Sequence, residues 1–249
     1  MMTALITGGT SGIGSAFAEA LARRGFSLVL VARGAERLES TASRLSAEYA
    51  VEVETLEADL GDADDVARVA ERIEDPRAPI DMLVNNAGFG TGKDVADDAP
   101  ERLEQEVRLN CLAVVGLTAR YLPAMRERGS GSIINISSAA AFQPMPHMAV
   151  YGATKAFVLS FTEALWRETR RDGIRVLAVC PGSTDTPFFQ VADEGTVVGR
   201  LRSTRQVLDT TMRALRGSGP SVVDGLGNAV VARFLTRVLP KRALLAAVD

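Results

Sequence analysis

The stretch Thr3-Ala4-Leu5-Ile6-Thr7-Gly8-Gly9-Thr10-Ser11-Gly12-Ile13-Gly14 decides the reading of this chain. Thr3 to Thr7 is a short, mostly apolar run. From Gly12 to Arg24, Ile13, Phe17, Ala20 and Leu21 recur at helical spacing. Between strand and helix, glycines at 8, 12 and 14 permit a tight turn, close backbone approach to a phosphate, and close packing of helix on strand. The helix N-terminus adds free N–H groups and a positive dipole end, which suit a pyrophosphate. The spacing is G-x-x-x-G-x-G rather than G-x-G-x-x-G, so a ligand-free tight turn is the competing reading. Placement at the first strand-to-helix turn of a βαβ unit favours dinucleotide binding.

The alternation continues outward from this turn. Phe26 to Ala32 (FSLVLVA) is a near-continuous apolar run, as for a strand buried on both faces. Ala35 to Tyr49 is helical, Val51 to Leu56 a strand, Asp62 to Ile73 helical, and Ile80 to Val84 a strand. Glu101 to Arg128 is a long helical region with a break near Asn110. Ser132 to Ile136 (SIINI) and Ile174 to Val179 are strands flanking a helix over Val150 to Arg171. Phe188 to Arg216 holds helical pieces, Ser221 to Val223 a short strand, and 229–247 one or two helices interrupted at Pro240. The expected fold is α/β: a doubly wound parallel sheet of about seven strands, a Rossmann fold, as one domain over residues 1–249.

Composition agrees and excludes several classes. The chain has 249 residues, 28 basic and 31 acidic, for a net charge of −3, with 47% hydrophobic residues. That balance excludes a disordered chain and gives no electrostatic reason to expect nucleic acid. Two cysteines, Cys111 and Cys180, cannot form a disulfide framework, and both read as buried small residues. No run of 18 apolar residues and no signal-peptide signature is visible, so a cytoplasmic protein without a spanning segment is expected. A single histidine, His147, argues against a histidine metal site or a Ser-His-Asp triad; it reads as a loop residue.

Two further stretches carry chemistry. The second strand ends in Ala32-Arg33, with Arg33 19 residues past Gly14, where a carboxylate would suit the ribose hydroxyl of NAD. A guanidinium there attracts a 2′-phosphate instead, with Arg37 one helical turn on. NADP(H) is therefore expected over NAD(H). Tyr151 and Lys155 stand four apart on a helix and share a face. The lysine ammonium is expected to pull the phenol down from its usual value near 10 and make it a tuned acid/base. The preceding strand runs into Ser137-Ser138, placing hydroxyls at a strand C-terminal end, where α/β ligands bind.

These elements together resemble the short-chain dehydrogenase/reductase family, in its single-domain branch of about 250 residues. The likeness runs from residue 3 to about 187 through Thr7-Gly8 to Gly14, Asp59-Leu60, Asn85-Asn86-Ala87-Gly88, Asn110, Ile136-Ser137-Ser138, Tyr151-Gly152-Ala153-Thr154-Lys155, and Pro181-Gly182 with Thr186. The resemblance implies that Tyr151 protonates a carbonyl oxygen in reduction and is the base in the reverse direction. It implies that Lys155 tunes Tyr151 and bonds the nicotinamide ribose. Ser138, 13 residues before Tyr151, would stabilise the oxygen, and Asn110 would hold a relay water. The implied cofactor contacts are Gly8, Thr10, Ser11, Gly12, Ile13, Gly14, Arg33, Arg37, Asp59, Leu60, Asn86, Ala87, Gly88, Tyr151, Lys155, Pro181, Gly182, Thr184 and Thr186. The implied activity interconverts a carbonyl and a secondary alcohol, in a homodimer or homotetramer without a metal. Two other readings are a non-catalytic redox sensor, against which Ser138, Tyr151 and Lys155 argue, and an epimerase or dehydratase.

The rest varies with substrate. Residues 183–205 would form a lid, with Phe188, Phe189, Val191, Val197 and Val198 apolar and Gly195 permitting movement. Asp185 would recognise a polar group or cap the loop. The tail, 225–249, departs from the family pattern. Arg233, Arg237 and Lys241 form a basic stripe beside Val230, Val231, Phe234, Leu235 and Val238. Packing on the domain or a sister subunit is favoured over a membrane surface.

Overall fold

A computed structural model describes residues 2–188 and 201–246. Seven parallel strands form one sheet in the order β3-β2-β1-β4-β5-β6-β7. They are β1 Thr3–Thr7, β2 Ser27–Ala32, β3 Val53–Glu57, β4 Met82–Asn85, β5 Gly131–Ile136, β6 Ile174–Cys180 and β7 Ser221–Val223. The order reverses between β1 and β4, which opens a crevice at the carboxyl ends of those strands.

Side-chain alternation explains why the strands read as unbroken apolar runs. Ala4 and Ile6 of β1, with Leu28 and Leu30 of β2, face one core. That core is covered by Phe17, Ala18 and Leu21 of α1 (Gly12–Ala22), Leu38 and Leu45 of α2 (Ala35–Tyr49), and Val207 and Leu208 of a helix at Thr204–Leu215. Leu5, Val29 and Val31 face the other core. It is covered by Val69 and Ile73 of α3 (Ala63–Glu74), Leu117 and Tyr121 of α5 (Ala113–Arg128), and Leu165 of α6 (Ala149–Glu168). Each such Val, Leu, Ile or Phe side chain removed from water contributes about 1.5–3 kcal/mol, which holds both helix layers to the sheet. The expected doubly wound Rossmann fold is what the chain adopts.

The break near Asn110 has a definite form. The helix α4 (Pro100–Val107) passes into a π-turn at Arg108–Leu112 before α5 begins. A π-turn admits one extra residue per turn and re-aims a side chain, often at a functional site. The element expected at 188–216 resolves, within the described residues, into α7 (Thr204–Leu215), opened by a capping box between Ser203 and Gln206. Of the lid residues, Phe189, Val191, Gly195, Val197 and Val198 lie outside the described residues.

The tail begins with α8 (Leu226–Val230) and a π-turn at Val231–Leu235, and resumes as a helix at Lys241–Ala246 after Pro240. Ala232 packs with Leu159, Ala178, Cys180 and Val223, and Leu244 is also buried, so one side of the tail lies on its own domain. Leu226, Val230, Phe234 and Val238 point outward. The side chains of Arg233, Leu235 and Arg237 lie outside the described residues. No helix among the described residues is long and apolar enough to cross a membrane.

Candidate active site

The glycine turn is built by exclusion of side chains. Gly8 and Gly12 take positive φ, 64° and 52°, a region unfavourable to other residues. A Cβ on Gly14 would overlap the Gly8 carbonyl, so the first turn of α1 lies directly against the end of β1. Asn86 closes the turn from β4: its side-chain amide donates to the carbonyls of Thr7 (2.9 Å) and Gly8 (3.3 Å). Thr7 reciprocates, its hydroxyl accepting from the backbone N–H groups of Asn86 and Ala87, both at 2.9 Å. Across the turn, a Cβ on Gly12 would reach Thr186 at 3.1 Å. The turn and the Pro181–Thr186 loop therefore face each other over a narrow gap.

One cavity of about 1140 Å³ connects this turn with the Tyr151 helix. Its wall carries Gly8, Thr10, Ser11, Gly12 and Ile13 from the turn, then Arg33, Arg37, Asp59 and Leu60 from the ends of β2 and β3. It continues through Asn86, Ala87 and Gly88 to Ser138, Tyr151 and Lys155, and then Pro181, Gly182, Thr184 and Thr186. Two expected site residues are not on the wall. Gly14 is buried in helix–strand packing, and Asn110 is buried behind Gly88. Asp59 is partly committed elsewhere, its Oδ1 accepting from the Gly61 N–H at 2.9 Å. Thr184 is buried, and its hydroxyl donates to the Gly182 carbonyl at 2.9 Å.

The reactive cluster sits at the ends of β5 and α6. Ser137 and Ser138 part company there. The Ser137 hydroxyl donates to the Lys155 carbonyl at 2.7 Å and is buried, whereas the Ser138 hydroxyl hydrogen-bonds with the Tyr151 phenol. Ser138 also accepts from the Ala140 N–H at 3.1 Å, which fixes its rotamer. Lys155 is 6% exposed; its ammonium donates to the Ile136 carbonyl at 3.0 Å and lies 5.7 Å from the Tyr151 ring centre. An ammonium has three donors, so two remain for a ligand. Asn110 locks the intervening loop: Nδ2 donates to the Phe89 carbonyl (2.9 Å) and the Thr154 hydroxyl (3.1 Å), and Oδ1 accepts from the Phe89 N–H (3.2 Å).

The electrostatics correct one expectation. Burial pushes the Tyr151 phenol up, to about 12, against a smaller lowering from the Ser138 hydrogen bond. Burial also pushes the Lys155 ammonium down to about 8. Lys155, lowered to about 8 by its own burial, is largely neutral at the pH where the phenol would ionise, so its charge does not offset the desolvation. The result is a phenol that keeps its proton at neutral pH, which suits a proton donor. Burial raises the Cys111 thiol to about 11, which fits its reading as inert. His147 lies on a loop at φ 58°, with Nδ1 2.8 Å from the Asp94 carboxylate.

Several participants escape sequence reasoning. Asn85 and Asn135 are register partners on β4 and β5, and the Asn85 amide donates to Asn135 Oδ1 at 2.9 Å. Their presence inside otherwise apolar strands was the available signal. Glu106, fully buried, accepts from the Thr91 hydroxyl at 2.8 Å; its spacing of four from Asn110 was the clue. The tail supplies Asn228, Val231, Ala232 and Thr236 to the cavity wall, which no local pattern announces.

Comparisons with known proteins agree with this geometry. The family model described as short chain dehydrogenase matches residues 2–196. A very-long-chain 3-oxoacyl-CoA reductase of Anas platyrhynchos is 35% identical over 194 residues, 76% of this chain and 62% of that protein. The chain thus spans about three fifths of the length of that relative. A short-chain dehydrogenase from Sphingobium yanoikuyae, solved in complex with NADPH, superposes with a TM-score of 0.88 at 34% identity, covering 100% of this chain and 97% of that one. A bulky-bulky ketone specific alcohol dehydrogenase from Comamonas testosteroni superposes with a TM-score of 0.84 at 32% identity, covering 100% of this chain and 95% of that one. This chain belongs to the short-chain dehydrogenase family.

Proposed function

We infer that the chain is an NADP(H)-dependent oxidoreductase that interconverts a carbonyl and a secondary alcohol, with Tyr151 as the proton donor in reduction. The observation that carries this reading is the shared cavity: the glycine turn, Arg33 and the Tyr151–Ser138–Lys155 cluster line one continuous wall. The residues fit a dinucleotide. Gly8 and Gly12 take the positive φ that lets the turn's backbone line the cavity, and Arg33 and Arg37 on the same wall would attract a 2′-phosphate. When bound, the nicotinamide supplies the hydride.

The chain supplies the rest. Gly8 to Ile13 would hold the pyrophosphate against the N-terminus of α1. Asp59 and Leu60 would flank the adenine, Asn86, Ala87 and Gly88 the adenosine side, and Pro181 to Thr186 the carboxamide. Lys155 would bond the ribose through its free donors. Asn110, behind Gly88, would offer its remaining acceptor position to a relay water. Ser138 and Tyr151 would grip the substrate oxygen from two directions, and Tyr151 would pass its proton as negative charge develops there. The substrate end is apolar: Phe142, Met145, Met148, Phe188 and Val231 line it, which suits a carbonyl compound with hydrophobic substituents. The relatives named for 3-oxoacyl-CoA and bulky ketones support the same class.

The test is NADPH consumption with a panel of aliphatic ketones, aryl ketones and 3-oxoacyl thioesters. Stoichiometric alcohol formation with apolar members supports the reading. Silence across the panel, or product formed without net NADPH consumption, contradicts it.

A further inference from the structure

Glu106 is a buried carboxylate that the proposed mechanism leaves unused. It is 0% exposed, on the last turn of α4, two residues before the π-turn that carries Asn110. One carboxylate oxygen accepts from the buried Thr91 hydroxyl at 2.8 Å; the other, Oε1, is buried without a hydrogen-bond partner among the described residues. A fully buried carboxyl with half its acceptors unused is costly and calls for a reason.

The loop that ends in Thr91 supplies one. A Cβ at Gly88 would lie 2.8 Å from Asn110 Oδ1 and 3.4 Å from Lys155 Nζ. Phe89 is clamped on both backbone groups by Asn110. A Cβ at Gly90 would lie 2.9 Å from the Tyr151 ring. Four successive residues thus touch Lys155, Asn110, Tyr151 and Glu106 in turn. We propose that Glu106 is a positioning residue for proton transfer: it anchors this loop through Thr91, and its negative charge holds the proton on Tyr151, biasing the site toward carbonyl reduction. The inference rests on the reading of Tyr151 as proton donor.

The charge environment supports this. Lys155 and Tyr151 on α6, Cys111 on the π-turn and Arg102 on α4 itself interact electrostatically with Glu106. Burial raises the carboxyl to about 7, so it is ionised throughout the alkaline range in which a phenol can lose its proton. An anion there opposes phenolate at Tyr151 and favours the ammonium at Lys155.

The experiment compares the full-length chain with Glu106→Gln, which retains an acceptor for Thr91 but not the charge, and Glu106→Met, an apolar replacement that secures a folded variant. The chain has three tyrosines, so carbon-13 at tyrosine Cζ reports each phenol directly, with Tyr151→Phe assigning the signal. The expected result is that Tyr151 ionises at lower pH in both variants, by about half a unit or more. The alkaline rise of alcohol oxidation shifts with it, and Tyr49 and Tyr121 stay put. A purely structural Glu106 would lower Tm and kcat at every pH without moving Tyr151; an unmoved Tyr151 signal in either folded variant overturns the proposal. If Tyr151→Phe still reduces ketones, the underlying reading falls whatever Glu106 does. If Tyr151→Phe is dead and the Tyr151 titration is unmoved, only the assignment to Glu106 falls.

Discussion

The hydroxyl of Ser137 donates to the backbone carbonyl of Lys155 at 2.7 Å, so the end of β5 is tied to the helix that carries the proposed proton donor. Its neighbour Ser138 faces the opposite way and meets the Tyr151 phenol. Adjacent serines therefore divide between scaffold and chemistry. Ser138→Ala is expected to lower kcat roughly 10²–10³-fold with little change in Tm. Ser137→Ala is expected to cost about 1 kcal/mol of stability and much less in kcat. Steady-state kinetics beside thermal unfolding of both variants checks the division.

Arg33 is an exposed side chain on the cavity wall, at the end of β2. Arg33→Ala should weaken NADPH binding about tenfold or more, the worth of a charge-assisted hydrogen bond, and leave NADH binding nearly unchanged. Binding titrations with the two dinucleotides measure this; equal losses would mean that Arg33 does not read the phosphate.

Gly14 belongs to packing and not to the cavity wall. An added Cβ would overlap the Gly8 carbonyl, which is backbone, and the Asn86 side-chain amide, which is itself held by hydrogen bonds to the Thr7 and Gly8 carbonyls. Gly14→Ala should destabilise the chain by about 3 kcal/mol or more, seen as a lowered denaturation midpoint.

The sequence makes the sheet legible because inner strands such as β1, β2 and β6 are buried on both faces. Ile6 and Leu5 serve opposite cores, so β1 cannot be mistaken for a half-exposed strand. The turn and the Tyr151–Lys155 pair are legible because their spacing is local. What is not legible arises from competition between distant groups. Burial and the Ser138 hydroxyl act on Tyr151 with opposite signs, and only the three-dimensional packing shows that burial wins. The tail's approach to Gly182 through Asn228 is likewise a matter of packing between segments far apart in sequence.

The phenol sets the pH dependence. In the proposed mechanism reduction uses the phenol, and Tyr151 keeps its proton to about 12, so the phenol itself should bring no pH dependence to reduction across neutrality. Alcohol oxidation, which needs phenolate, should rise steadily with pH through the alkaline range. Initial rates in both directions over a pH series test the asymmetry.

Glu106 makes a separate stability prediction. Its carboxyl is raised from 4.5 to about 7, so the folded chain binds the proton more tightly than the unfolded one. The stabilisation is fully present below pH 4.5 and is lost as pH rises through about 7. Tm of the parent should therefore fall over that interval more steeply than Tm of Glu106→Gln, as differential scanning calorimetry would show.

In the proposed mechanism Tyr151 delivers the proton to the substrate oxygen from within a dinucleotide cavity. The most direct measurement of this is single-turnover reduction of a hydrophobic ketone by NADPH in Tyr151→Phe, with NADPH affinity determined on the same preparation. The account predicts hydride transfer slowed by about 10³-fold or more, with affinity within a few-fold of the parent. Transfer at the parental rate, with the dinucleotide bound as before, would contradict it.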